Sequence, residues 1–149
     1  MLNLGQSVFL KNNDKIKKTV LKIPSDIKYI RRVSSKVLEA AASHEIDDSM
    51  KFDIRLCVEE ALINAIVHGN RRDVTKPVKI AYWLKNGNLN IEVEDKGNGF
   101  DYKGLSDPTA NDNIMKGSGR GVYLIRSLMD EVEYNDTGNK LKMIKRLGA

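Results

Sequence analysis

Two stretches of this 149-residue chain bring together residue types that could do chemistry, and a third could hold phosphate. In "EEALINAIVHGN", residues 59–70, Glu60 and Asn64 interrupt an otherwise apolar run. Four residues apart on a helix, they stand one above the other on the same face. A neutral amide oxygen can ligate Mg²⁺, whose octahedral shell is completed by waters and substrate phosphates. A carboxylate one turn away could accept a proton from an attacking hydroxyl. The same pair on an exposed face would only solubilise the helix, and burying it without partners would be costly.

The second stretch, "VEDKGNGFDY" (93–102), ends an apolar alternation in Asp95 and then abandons side chains at Gly97 and Gly99. An ordinary turn uses the same residue types. The third, "KGSGRG", comprises Lys116, Gly117, Ser118, Gly119, Arg120 and Gly121, and it precedes a run at helical spacing. Free backbone N–H groups at a helix mouth favour phosphate oxygens. The cluster fails the dinucleotide fingerprint, because Val122 stands where the third glycine should be. It also lacks the P-loop Lys followed by Ser or Thr. Neither His-Arg-Asp nor Asp-Phe-Gly occurs, which excludes an ordinary protein kinase.

These stretches need elements to position them. "TVLKI" (19–23) alternates and meets Pro24, as a strand ending at a turn does. Ser25 or Asp26 can cap a first helix, in which Ile27, Ile30, Val33, Val37, Leu38 and Ala41 recur at helical spacing. A second helix is expected from Met50, its apolar side including Phe52, Leu56, Ala61, Leu62, Ala65 and Ile66, with Gly69 as its C-terminal stop. Residues 78–94 read as two strands joined by an Asn-Gly hairpin turn. A long loop follows over 101–117, then a helix through Val122, Ile125, Leu128, Met129 and Val132, then a final hairpin turning at Thr137–Asn139. The order strand, helix, helix, hairpin, loop, helix, hairpin predicts an α+β fold, one sheet covered by helices on a single face. Residues 1–16 read as a tail or an added strand, and 17–149 as one domain.

Composition narrows the classes. The 41% apolar and 30% charged content suits a compact domain, and no apolar run approaches the roughly 18 residues that span a bilayer. "MLNLGQSVFL" lacks the basic leader and apolar length of a signal peptide, so a cytoplasmic protein is expected. Cys57, the single cysteine, reads as a core thiol. The net charge of +5 is concentrated in residues 1–32, with eight Lys/Arg against two acids. Without aromatic interleaving, that distribution argues against direct nucleic-acid binding. It leaves a solvated surface or a docking face for an acidic protein.

The three stretches in this order resemble the motifs of the Bergerat-fold ATPases of the gyrase, histidine kinase and MutL superfamily. Glu60 and Asn64 match the N box, Asp95, Gly97 and Gly99 the first glycine box, and Gly117, Gly119 and Gly121 the second. The resemblance runs from about residue 17 to residue 147. "VHGN" and "SGRGVYLIRSLMDEV" look most similar to the RsbW-type anti-sigma factor serine/threonine kinases. The resemblance implies a two-layer α/β sandwich with a mixed, mostly antiparallel sheet and a lid over ATP. It implies Glu60 as general base, Asn64 as Mg²⁺ ligand, Asp95 as acceptor for the adenine amino group, and the second glycine box with Lys116, Ser118 and Arg120 around the phosphates. Some relatives carry Arg where Gly117 stands here, so Lys116 or Arg120 would supply the cation. The implied partners are a small STAS-type anti-sigma factor antagonist, which is phosphorylated, and a sigma factor, which is sequestered by a homodimer. Arg31 and Arg32 on the first helix would then belong to the docking region. The alternative is an ATP-binding switch that sequesters a protein without phosphorylating it.

Overall fold

A computed structural model describes residues 6–9, 16–98 and 117–148. The chain runs β1 (Gln6–Phe9), β2 (Lys17–Ile23), a 3-10 turn (Ile27–Tyr29), α1 (Ile30–Ala41), α2 (Asp48–Ile63), a π-helical stretch (Asn64–Gly69), β3 (Val78–Lys85), β4 (Asn88–Glu94), α3 (Gly117–Leu128), β5 (Glu131–Tyr134) and β6 (Lys140–Arg146). The expected α+β class is the observed one. The strands form one six-stranded sheet in the order β1-β2-β3-β4-β6-β5. The expectation of a mixed sheet needs adjusting, because every adjacent pair among the described strands is antiparallel. Short hairpins join β3 to β4 and β5 to β6, and a tight hairpin permits only antiparallel neighbours.

Local chemistry sets the ends of these elements. The Asp26 carboxylate accepts from the Lys28 N–H ahead of α1, and the Asp47 carboxylate accepts from the Met50 N–H at the start of α2. Asn86 (φ 52°) and Gly87 (φ 77°) take the left-handed conformations that a two-residue hairpin needs.

The strand residues with period two fill one face: Leu21, Ile23, Ile80, Leu89, Ile91 and Met143 pack in a single core with Val33, Val37, Ile54, Cys57, Leu62, Ile66 and Ile125 from the helices. On the opposite face, Lys18 and Lys142 lie 4.4 and 5.8 Å from the Trp83 ring centroid, and Lys140 pairs with Glu92 at 3.4 Å. Cys57 is fully buried, as expected, and burial pushes its thiol pKa up to about 12, so it stays protonated.

Two expected core positions are corrected. Phe52 is 63% exposed. The stripe of α2 that meets the core is Ile54, Cys57, Val58, Ala61 and Leu62, and Phe52 sits two residues, or about 200°, away from Ile54. Ile27 is 48% exposed because the chain there is a 3-10 turn ahead of the helix, not its first α turn. Val132, expected on the last helix, stands in β5 opposite Met143, because α3 ends at Leu128.

Candidate functional site

α2 packs between α1 and α3, and this location separates the two acids of "EEALIN". Consecutive helical residues point about 100° apart. Glu59 faces α1, where its carboxylate accepts the Ser34 hydroxyl at 2.7 Å and pairs with Arg55 at 3.6 Å. Glu60 faces α3. A Cβ placed on Gly121 would stand 3.0 Å from Glu60 Oε2 and 3.0 Å from Asn64 Nδ2. The structure thus brings Glu60, Asn64 and Gly121 together, and no hydrogen bond or ion pair engages the Glu60 carboxylate among the described residues.

Asn64 Oδ1 is buried with no hydrogen-bond partner among the described residues. An orphaned amide oxygen is costly in a folded chain, and it is the donor type that a hard cation takes. Among the described residues there is no cluster of three or more His, Cys, Asp or Glu. The donor set therefore fits Mg²⁺ held by one amide oxygen and completed by phosphates and water. It does not fit a dedicated all-protein metal cage.

One wall of the adjoining cleft is formed by Ala61, Asn64 and Ala65 of the second helix, and the other by Val93, Asp95, Tyr134, Asn139 and Leu141. Asp95 is only 7% exposed at the end of β4. Its backbone N–H donates to Asn139 O at 2.9 Å, and its Oδ1 accepts the Gly97 N–H at 2.8 Å. Burial raises the Asp95 carboxyl above its usual pKa, and the Gly97 N–H opposes this by favouring the charged form. With one oxygen occupied by its own turn, this buried acid has a second oxygen that can accept a hydrogen bond from a donor.

Gly119 and Gly121 are buried in the first turns of α3, and Arg120 between them is exposed. The first four N–H groups of a helix have no intrahelical acceptor. From Gly117 to Arg120 they can therefore meet an anion, whereas Gly121 supplies closeness to Glu60 and Asn64. The backbone of Gly117 and Ser118 opens this helix. Gly99, Lys116 and residues 101–116 of the expected 101–117 loop lie outside the described residues, and Gly117, expected at the end of that loop, begins α3 instead. Arg31 and Arg32 are exposed on α1 and are not among the cleft-lining residues.

Sequence reasoning missed two neighbours of Asp95. Gly69 ends the helix, as expected, but the left-handed residues that follow it are Arg71 (φ 53°) and Arg72 (φ 59°). Gly69 is glycine for a different reason: a Cβ there would collide with the Asp95 carboxyl group, and one on Gly97 would collide with the Gly69 carbonyl. The helix widens into π geometry from Asn64 to Gly69, and the Asn70 N–H reaches Ala65 O at 2.8 Å. Such widened turns are frequent at functional sites. The buried Asn70 then binds the Lys96 N–H through Oδ1 at 2.7 Å. The only sequence signal was a polar Asn directly after the glycine.

Comparison with known proteins bears on the family and the fold. The model of the family described as "Histidine kinase-like ATPase domain" matches residues 23–145. The chain is similar to serine-protein kinase RsbW of Staphylococcus aureus strain bovine RF122 / ET3-1, 28% identical over 135 residues that cover 84% of each chain. The same protein of strain MSSA476 matches equally. Among solved structures, the RsbU and RsbW domains of Rv1364c from Mycobacterium tuberculosis align with a TM-score of 0.57 at 22% identity. That alignment covers 86% of this chain and 32% of the other, and it bears on the fold. Among the described residues no helix is long and apolar enough to cross a membrane.

Proposed function

The chain belongs to the histidine kinase-like ATPase domain family, and from that premise we propose that it is an ATP-dependent serine/threonine protein kinase acting as an anti-sigma factor. Its protein substrate is a small STAS-type antagonist, and in the alternative complex it sequesters a sigma factor. The observation that carries the kinase reading is the face of α2 where Glu60 and the orphaned Asn64 oxygen meet Gly121. A nucleotide-binding module needs no free carboxylate there, and a hydroxyl-activating enzyme does.

Each residue then has a role. Asp95 accepts the adenine amino group, with Gly97 and Gly99 letting the backbone pass close to the base. The opening turn of α3, from Gly117 through Ser118 and Gly119, presents N–H groups to phosphate oxygens. Lys116 and Arg120 supply positive charge beside them. Asn64 holds Mg²⁺, which when bound neutralises charge on the β- and γ-phosphates. Glu60 takes the proton from the substrate hydroxyl as its oxygen attacks the γ-phosphorus, and the bond to the β-bridging oxygen breaks, leaving ADP. Positioning and charge neutralisation supply most of the acceleration, with proton transfer contributing roughly 10²- to 10⁴-fold. Arg31 and Arg32 dock the protein partners in a homodimer, and the chain works in the cytoplasm.

The test is incubation of the protein with labelled Mg-ATP and candidate antagonist proteins. Label appearing as phosphoserine or phosphothreonine on one of them is the expected result. Tight ATP-dependent capture of a partner without transfer would contradict the kinase reading and leave a sequestering switch.

A further inference from the structure

Asn70 is 1% exposed, and its side chain meets four groups from three segments. Its Nδ2 donates to Ser25 Oγ at 2.9 Å, Lys76 O at 3.1 Å and Pro77 O at 3.2 Å, and its Oδ1 accepts the Lys96 N–H at 2.7 Å. Lys96 is the residue after Asp95. The peptide leaving Asp95 is therefore fastened to the end of the second helix by Asn70, while the peptide entering it is fastened to the β5–β6 turn by Asn139. Between these two ties the carboxyl group leans on Gly69, where a Cβ would displace it. Oδ1 is engaged by the Gly97 N–H, so Oδ2 is the atom left to face a ligand.

We propose that Asn70 is a positioning residue for base recognition: it fixes the Asp95–Gly97 turn against the second helix and thereby sets the preference for a 6-aminopurine. The proposal rests on the assignment of Asp95 made above and names the residue that makes the assignment effective. Only an amide serves all four partners. A carboxylate at position 70 would face the Lys76 and Pro77 carbonyls with no donor, and an apolar side chain would take the amide partner from the Lys96 N–H and the Pro77 carbonyl, leaving the Lys76 carbonyl with the Ser25 hydroxyl at 2.6 Å alone. Displacing a recognition group by about 1 Å is enough to remove much of its effect. An untethered turn would therefore lose base selectivity while the phosphate end of the site, on α3 and Asn64, stays formed.

The measurement is calorimetric titration of wild type and Asn70→Ala with Mg-ATP and with Mg-purine riboside triphosphate, which lacks the 6-amino group. Wild type is expected to prefer ATP by about 10- to 100-fold. In Asn70→Ala the preference should fall to within about 3-fold, with affinity for purine riboside triphosphate changed by no more than that factor. Equal weakening of both nucleotides, or an intact preference, overturns the positioning role. A wild type without preference instead removes the Asp95 assignment, and this proposal with it. Should the variant not fold, hydrogen exchange on the wild-type chain decides. Strong protection of the Lys96 amide is expected, and exchange at the rate of a free loop amide overturns the tether.

Discussion

Burial lifts the Asp95 carboxyl above its usual pKa even though the Gly97 N–H favours its charged form. For an acid shifted upward, the stabilising contribution is complete below the unfolded value of 3.8 and is lost as pH rises through the folded pKa. At neutral pH the charged carboxylate therefore opposes folding. Asp95→Asn keeps an oxygen for the Gly97 N–H and removes the charge. It is expected to raise the thermal midpoint of the nucleotide-free protein at pH 7, with the gain shrinking toward pH 4, and to weaken ATP binding by about 10- to 100-fold. Calorimetry with and without nucleotide checks both halves, and a lower midpoint together with unchanged ATP affinity would contradict the account. Asp95 stood out in the sequence only through its place between the other two stretches, because on its own an acid before two glycines is what an ordinary turn uses. Gly69 was not legible, because the residue type that ends a helix is also the type that admits a carboxylate at close range, and only the tertiary contact distinguishes them.

At the scale of elements, the site depends on how closely α3 approaches α2. Gly121 closes that approach, with Glu60 Oε2 and Asn64 Nδ2 3.0 Å from where a Cβ would be. Alanine suits a helix interior better than glycine by about 1 kcal/mol. Gly121→Ala is therefore expected to leave stability unchanged or slightly higher while slowing phosphotransfer on the order of 10-fold, by pushing Glu60 and Asn64 out of line. Thermal melts and phosphotransfer rates on one preparation check this, and a fully active variant would show that the contact has no bearing on geometry. The helices themselves were legible from period and caps. What periodicity could not give was the phase of α2, whose apolar residues serve α1, α3 and the sheet at once. Phe52 was assigned inward because it is apolar, yet it lies on the side that none of the three covers. The widening from Asn64 to Gly69 left no mark in residue type either, and it leads directly into the Asn70 and Asp95 contacts.

For the whole molecule, the proposed functions use different elements. The cleft proposed for nucleotide lies between the second helix and the β4, β5 and β6 end of the sheet, whereas Arg31 and Arg32 stand exposed on α1, with Ile30, Val33 and Val37 turned into the core. Arg32→Glu places a like charge against an acidic partner and is expected to lower partner capture at least 10-fold while ATP affinity holds, read by pull-down beside nucleotide titration. Unchanged capture would remove Arg32 from the docking face. The family and its motif order were legible because three stretches distant in sequence had to converge on one ligand, and the topology does bring the second helix, the end of β4 and the start of α3 together. The central claim is that this convergence makes a kinase whose base is Glu60. Its most direct measurement is single-turnover transfer of the ATP γ-phosphate to the antagonist protein by wild type and Glu60→Gln, with ATP affinity determined on the same samples. A rate lower by about 10² or more at unchanged affinity is the expected result, and equal rates in the two proteins would contradict it.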